Sequence, residues 1–73
     1  MPYASTDDLP PGLQVRLPLH AQEIYVAAFN NAFAEYQDRG ADEQDASAHR
    51  VAWAAVKKQY RKQGENWVAR ERN

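Results

Sequence analysis

Asp45 and His49 stand one helical turn apart in the stretch DASAHR. A carboxylate at that spacing can orient an imidazole and support proton transfer, so the pair has the makings of an acid–base couple. The same stretch runs on into VAWAAVKKQYRKQG, where Arg50, Lys57 and Arg61 recur at i, i+7 and i+11. Lys58 lies beside them and the small Ala54 between them. On one helix these residues form a nearly straight basic stripe, a shape suited to a row of phosphates or to an acidic protein surface. A third group is acidic: Asp38, Asp42, Glu43 and Asp45 gather around one short segment and could attract a divalent cation.

The sequence around these groups limits what they can do. There is no nucleophile at a recognisable elbow, no glycine-rich loop and no metal-ligand spacing. His20, the other histidine, belongs to a different predicted helix and is expected at its N-terminus. His49 therefore reads as a helix-packing histidine with one hydrogen bond. The acids lack the ligand order and the bidentate glutamate of a calcium loop, and a role at a helix start explains three of them. No catalytic, cofactor-binding or metal-ligating residue is assigned, and no cofactor is expected. No arginine is poised to read base edges, so any nucleic-acid binding would run through the backbone without sequence preference.

The elements that carry these groups are helical. Pro11 suits the first position of a short helix bearing Leu13 and Leu17, which Pro18 ends; Ser5 or Thr6 could cap a turn over Asp7–Leu9. Ala21, Ile24, Tyr25, Ala28, Phe29, Ala32, Phe33 and Tyr36 follow the apolar spacing of an amphipathic helix over about 20–38. Glu35 can pair with Arg39, and Gly40 is the expected stop, in a left-handed conformation. Asp42 reads as the next N-cap, with acids in the first turn favoured by the helix dipole. The third helix is predicted over about 43–63, with Gly64 stopping it, and the short loop makes the two long helices an antiparallel hairpin.

His49, Ala52, Trp53, Val56 and Tyr60 form one stripe of that third helix, which Ala48, Val51 and Ala55 widen to about 200° of its circumference at 100° per residue. Such an arc needs cover on two sides: the second helix on one, and Leu9, Leu13, Leu17 and Trp67 on the other. Trp53, at the centre, is expected to be buried.

Composition sets the class. The chain has 73 residues and no cysteine, so it is read as one domain, 1–73, with a modest core and without disulfides or zinc–thiolate sites. No apolar run approaches the roughly 18 residues of a membrane span, and MPYASTDDLPPG lacks the pattern of a secretory signal. The protein is expected to be cytoplasmic and not to insert in a membrane. Residues 1–49 hold eight acids and two bases, and residues 50–73 hold seven bases and two acids. That split points to a polyanionic partner, to self-association, or to attraction between the halves within the fold. Oligomeric state is left open.

Several blocks now form a pattern: MPY at the start, DLP at 8–10, LPLHAQEIYVAAFNNAF at 17–33, AHRVAWAAVKKQY at 48–60, and Trp67. Together, in this order and over nearly the whole chain, they resemble the ChaB-like family of small bacterial proteins, some relatives of which, including viral ones, are linked to DNA binding. Leu19 stands where members can have a cap-forming serine. The resemblance implies a mainly all-α domain of three helices with a small sheet, in which MPY and NWVA, near the two termini, would pair as strands. It implies a regulator of a cation (calcium/sodium–proton) antiporter, and it brings no catalytic set. The leading reading is thus a non-enzymatic regulatory or adaptor protein that binds a protein partner, in the family's case the cytoplasmic side of an antiporter. The alternative is an unspecific nucleic-acid-binding module. Either partner would meet Arg50, Lys57, Lys58, Arg61 and Lys62, with Arg70 and Arg72 of the tail.

Overall fold

A computed structural model describes residues 2–70. The order of elements is a single 3-10 turn at Thr6–Asp8, helix α1 (Pro11–Arg16), helix α2 (Leu19–Glu35), helix α3 (Ala41–Gln59), and an antiparallel hairpin of β1 (Tyr60–Gln63) and β2 (Asn66–Ala69). The mainly helical, three-helix class with a central helix hairpin is therefore as the sequence indicates.

The core is the seam between α2 and α3. Ala21, Tyr25, Phe29 and Ala32 of α2 are buried against Ala48, Ala52 and Val56 of α3. The alanines let the two backbones come close, and Tyr25, Phe29 and Val56 are the largest side chains wholly removed from water. Phe29 is central: its ring lies 4.8 Å from Tyr3, 4.7 Å from His49 and 5.8 Å from Phe33, centroid to centroid. Leu9 and Leu17 close one end of the core and Tyr60 joins it from β1.

Four departures from the sequence expectations have physical causes. First, α3 ends at Gln59, four residues before the expected 63. Tyr60 is extended and buried, with its hydroxyl 3.0 Å from His20 Nδ1. Anchoring that ring on α2 turns the chain out of the helix. Second, NWVA pairs with Tyr60–Gln63, not with the N-terminus; the register joins Tyr60 to Ala69 and Lys62 to Trp67. Met1 of MPY lies outside the described residues. Tyr3 has no strand partner, because the Asn30 side chain takes its place: Tyr3 N–H donates to Asn30 Oδ1 at 2.9 Å and Asn30 Nδ2 donates to Tyr3 C=O at 2.8 Å. One amide thus satisfies the groups a strand would have paired.

Third, the glycines exchange roles. Gly40 has φ −59° and ψ 154° and serves as the N-cap of α3, so Asp42 falls inside the first turn. Gly64, with φ 64°, opens the Gly64–Glu65 hairpin loop. A positive φ at the first of two loop residues matches the twist of the flanking strands and favours glycine. Because α2 ends at Glu35, Arg39 lies beyond it, with its guanidinium 4.9 Å from the centroid of the Tyr36 ring. Fourth, Trp53 is half-buried and Val51 is exposed. The buried line runs through Ala48, Ala52 and Val56, which rotates the apolar arc and leaves Trp53 at its edge.

Side-chain amides tie the irregular segments to the helices. Gln14 Nε2 donates to the carbonyls of Asp7 and Leu9, and Gln22 Nε2 to those of Gln14 and Leu17. Gln44 Nε2 donates to Phe33 C=O at 2.6 Å, serving an otherwise orphaned carbonyl near the end of α2. The N-cap of α2 is Pro18, which offers no side-chain cap, and Leu19 is the first residue of the helix.

Phe29→Ala is expected to cost about 3–5 kcal/mol, a large part of what so small a domain has. Gly64→Ala meets no neighbour at its Cβ, and is expected to cost about 1–2 kcal/mol from the left-handed backbone alone. Urea unfolding of both variants checks the ranking.

Candidate functional site

The acid–base pair is assembled at the edge of the core, with both side chains partly exposed. His49 Nε2 lies 3.4 Å from Asp45 Oδ2, and its Nδ1 is hydrogen-bonded to the Tyr25 hydroxyl. A carboxylate only accepts, so a neutral His49 ring carrying its proton on Nε2, towards Asp45, presents Nδ1 as an acceptor for the Tyr25 proton. His49 thus has two partners where one was expected. The ring is also flanked by Phe29 and Tyr25, at 4.7 and 6.0 Å. Asp45, His49 and Tyr25 do not line the cavity at Ser5, Thr6 and Glu23 or the one at Arg16, Trp53 and Trp67. The chain Asp45–His49–Tyr25 fastens α3 to α2, as His20–Tyr60 fastens the start of α2 to β1.

Burial holds the Tyr25 hydroxyl well above the ordinary tyrosine pKa, and the nearby Tyr3 and Asp45 push it the same way. Tyr3 is raised for the same first reason, with Asp45 adding to it. The acids of the α2–α3 loop do not converge. Among the described residues no group of three or more histidine and acidic side chains is arranged to hold a metal ion.

The cations occupy the other end of α3. Arg50, Lys57 and Lys58 are exposed on the helix. The expected line through Arg61 is broken, because Arg61 belongs to β1, beyond the helix end. Side chains alternate across a strand, so Arg61 and Lys62 leave opposite faces of the hairpin. Lys62 is on the face of its cross-strand partner Trp67. Arg70 donates Nε–H to Lys57 C=O at 2.7 Å and its backbone N–H to Gln59 C=O at 2.9 Å, sealing the last turn of α3. Arg72 lies outside the described residues.

These cavities differ in their linings. One, of about 310 Å³, is lined by Ser5, Thr6, Glu23, Val26 and Ala27. The other, of about 290 Å³, is lined by Arg16, Trp53, Lys57, Lys62 and Trp67. Arg16 comes from α1, far away in sequence and without a basic neighbour, so no local pattern could have grouped it with the lysines. No helix among the described residues is long and apolar enough to cross a membrane.

Residues 9–70 match the ChaB family model. A protein of Escherichia coli (strain K12) named "Putative cation transport regulator ChaB" is 50% identical over 66 residues, covering 85% of this chain and 87% of the relative. A protein of the same name from Shigella flexneri matches equally well. Among solved structures, an "NMR solution structure of the putative cation transport regulator ChaB" superposes with a TM-score of 0.86 at 41% identity, covering 96% of this chain and all of the other.

Tyr25→Phe removes the hydroxyl and leaves His49 to water, for an expected loss of about 1 kcal/mol near neutral pH. Because the folded state holds the Tyr25 proton more tightly than the unfolded chain, this group's contribution is complete below about pH 10 and is lost as pH rises towards the folded value. Urea unfolding across the alkaline range should therefore show a steeper decline for wild type than for Tyr25→Phe. Parallel declines would mean that Tyr25 does not titrate differently on unfolding.

Proposed function

The chain belongs to the ChaB family, and from that membership we propose that it is a non-enzymatic regulator of cation transport, acting in the cytoplasm by binding a protein partner. The partner we propose is the cytoplasmic side of a cation–proton antiporter. The observation that carries the binding mode is the cationic end of the fold. Arg50, Lys57, Lys58, Arg61 and Lys62 are exposed, and among the described residues none of them is in a salt bridge. Unpaired surface cations of this density can steer and orient an acidic partner at little cost to the fold. The bond from Tyr25 to His49 supports the non-enzymatic part of the reading, since it engages one ring nitrogen in joining two helices.

Nucleic acid is the competing partner, and the arrangement of charge disfavours it. The cations leave α3 and the hairpin in different directions. Glu43 stands seven residues before Arg50, as Arg50 does before Lys57, so all three share nearly one line along α3, with about 20° of drift per heptad. A polyanion laid along that line from the hairpin would run into Glu43.

Purified antiporter in detergent or vesicles should be retained by the wild-type protein. The Arg50→Gln/Lys57→Gln/Arg61→Gln variant should lose that retention while its stability changes by about 0.5 kcal/mol or less per site. Random-sequence duplex DNA should bind weakly or not at all. Submicromolar DNA binding near physiological salt would overturn the reading, provided that log affinity falls with log salt at about −0.9 per phosphate contacted and the triple variant flattens that slope.

A further inference from the structure

The second cavity has a composition that the fold itself does not need. Trp53 of α3 and Trp67 of β2 lie with ring centroids 5.3 Å apart at 35°. Both are half-buried, although the core is already closed by Tyr25, Phe29 and Val56. Tyr25 meets Trp53 edge-on at 5.3 Å and fixes it from the core side. The indoles therefore form a braced apolar wall that is open to water. Aromatic walls of this kind, already fixed in place, are common where interfaces concentrate their binding energy.

Around this wall stand three cations from three different elements: Arg16 from α1, Lys57 from α3 and Lys62 from β1. None of the described residues that line the groove is acidic, and among the described residues none of the three cations has a carboxylate partner. The convergence is produced by the early end of α3. Had the helix run on, Lys62 would not stand across from Trp67.

We propose that this groove seats an acidic peptide segment of a protein partner, with one large apolar side chain against the indoles and a neighbouring carboxylate held by Arg16, Lys57 and Lys62. This rests on, and sharpens, the reading of the protein as a partner-binding regulator. The size fits. At about 290 Å³ the groove is at the small end of ligand sites, which run from about 300 to 1,000 Å³; that is room for one side chain and its flanking backbone. The charge fits too, because the cations are clustered around one aromatic pair, and the line along α3 turns acidic at Glu43. A short acidic segment ends before reaching it.

The two indoles are the only tryptophans of the chain, so intrinsic fluorescence of the full-length protein reads this groove directly. The probe is a short, tryptophan-free acidic peptide with a single central phenylalanine. It should produce a saturable change in emission. Exchanging the phenylalanine for alanine should weaken binding at least about tenfold. Lys57→Gln/Lys62→Gln, with far-UV circular dichroism as the check on folding, should weaken it by about threefold to tenfold, the range of exposed ion pairs. Arg16→Gln is an independent variant on a separate element and should weaken binding in the same sense.

No saturable change at millimolar peptide would overturn the proposal, as would equal binding of a peptide with lysines in place of the acids. Tighter binding of a short oligothymidylate than of the peptide would reassign the groove to single-stranded nucleic acid. If the peptide fails while antiporter capture succeeds, the groove proposal falls and the regulatory reading stands. If the peptide binds and antiporter capture fails, the groove stands and the antiporter falls.

Discussion

The close approach of α2 and α3 along an alanine-lined seam is the constraint on which everything else rests. Ala21 and Ala32 on one side and Ala48 and Ala52 on the other leave room for two large rings, Tyr25 and Phe29, to lie between the helices. Small side chains contribute little burial of their own. They act by setting the distance at which Phe29 can touch Tyr3, Phe33 and His49 together. A core this small has no reserve, which is why its few polar groups are so fully used.

Those polar groups work as clasps. Tyr25–His49 and His20–Tyr60 both join α2 to later elements of the chain, and among the described residues no buried side-chain nitrogen or oxygen is left without a partner. Gln14, Gln22, Asn30 and Gln44 do the same for backbone groups at turns and helix ends. A domain of this size can bury little apolar surface, so each hydrogen bond left unmade in its interior would be a large fraction of its stability. Asp45, His49 and Tyr25 have the composition of catalytic chemistry, and here the bond between His49 and Tyr25 joins α3 to α2.

How much of the structure is legible in the sequence depends on how local each signal is. The apolar spacing of α2 and the prolines around α1 act over one or two helical turns, and both helices lie where those signals put them. The end of α3 is different. Tyr60–Gln63 has no local reason to leave a helix, and Gly64 is as good a helix stop as a hairpin turn. The choice is made by Tyr60 reaching His20, forty positions away, and by Trp67 pairing across to Lys62. For the same reason the cations of α3 are plain in the sequence, while the grouping of Arg16 with Lys57 and Lys62 is not. Arg70, which by charge alone belongs with the binding surface, is engaged in closing α3. Aligned charges on a helix are readable; charges brought together by the turn that ends it are not.

Drawing a charged groove from three elements has an energetic consequence. Arg16, Lys57 and Lys62 are neighbours only when α1, α3 and the hairpin are all in place, so a ligand of the groove binds the folded chain and has no comparable site on the unfolded one. Such a ligand stabilises the fold by an amount that grows with the logarithm of its concentration, about 2.7 kcal/mol at a hundred times its Kd. Against the total of about 5–15 kcal/mol typical of whole proteins, with a domain this short at the lower end, that is a substantial addition. It would fall on the elements that supply the groove, α1, α3 and the hairpin. Partner binding and the folding of these elements are then one equilibrium. A net charge near zero conceals this coupling, because Asp42, Glu43 and Asp45 lie at the other end of α3, where acids stabilise a helix start, away from the described residues that line the groove.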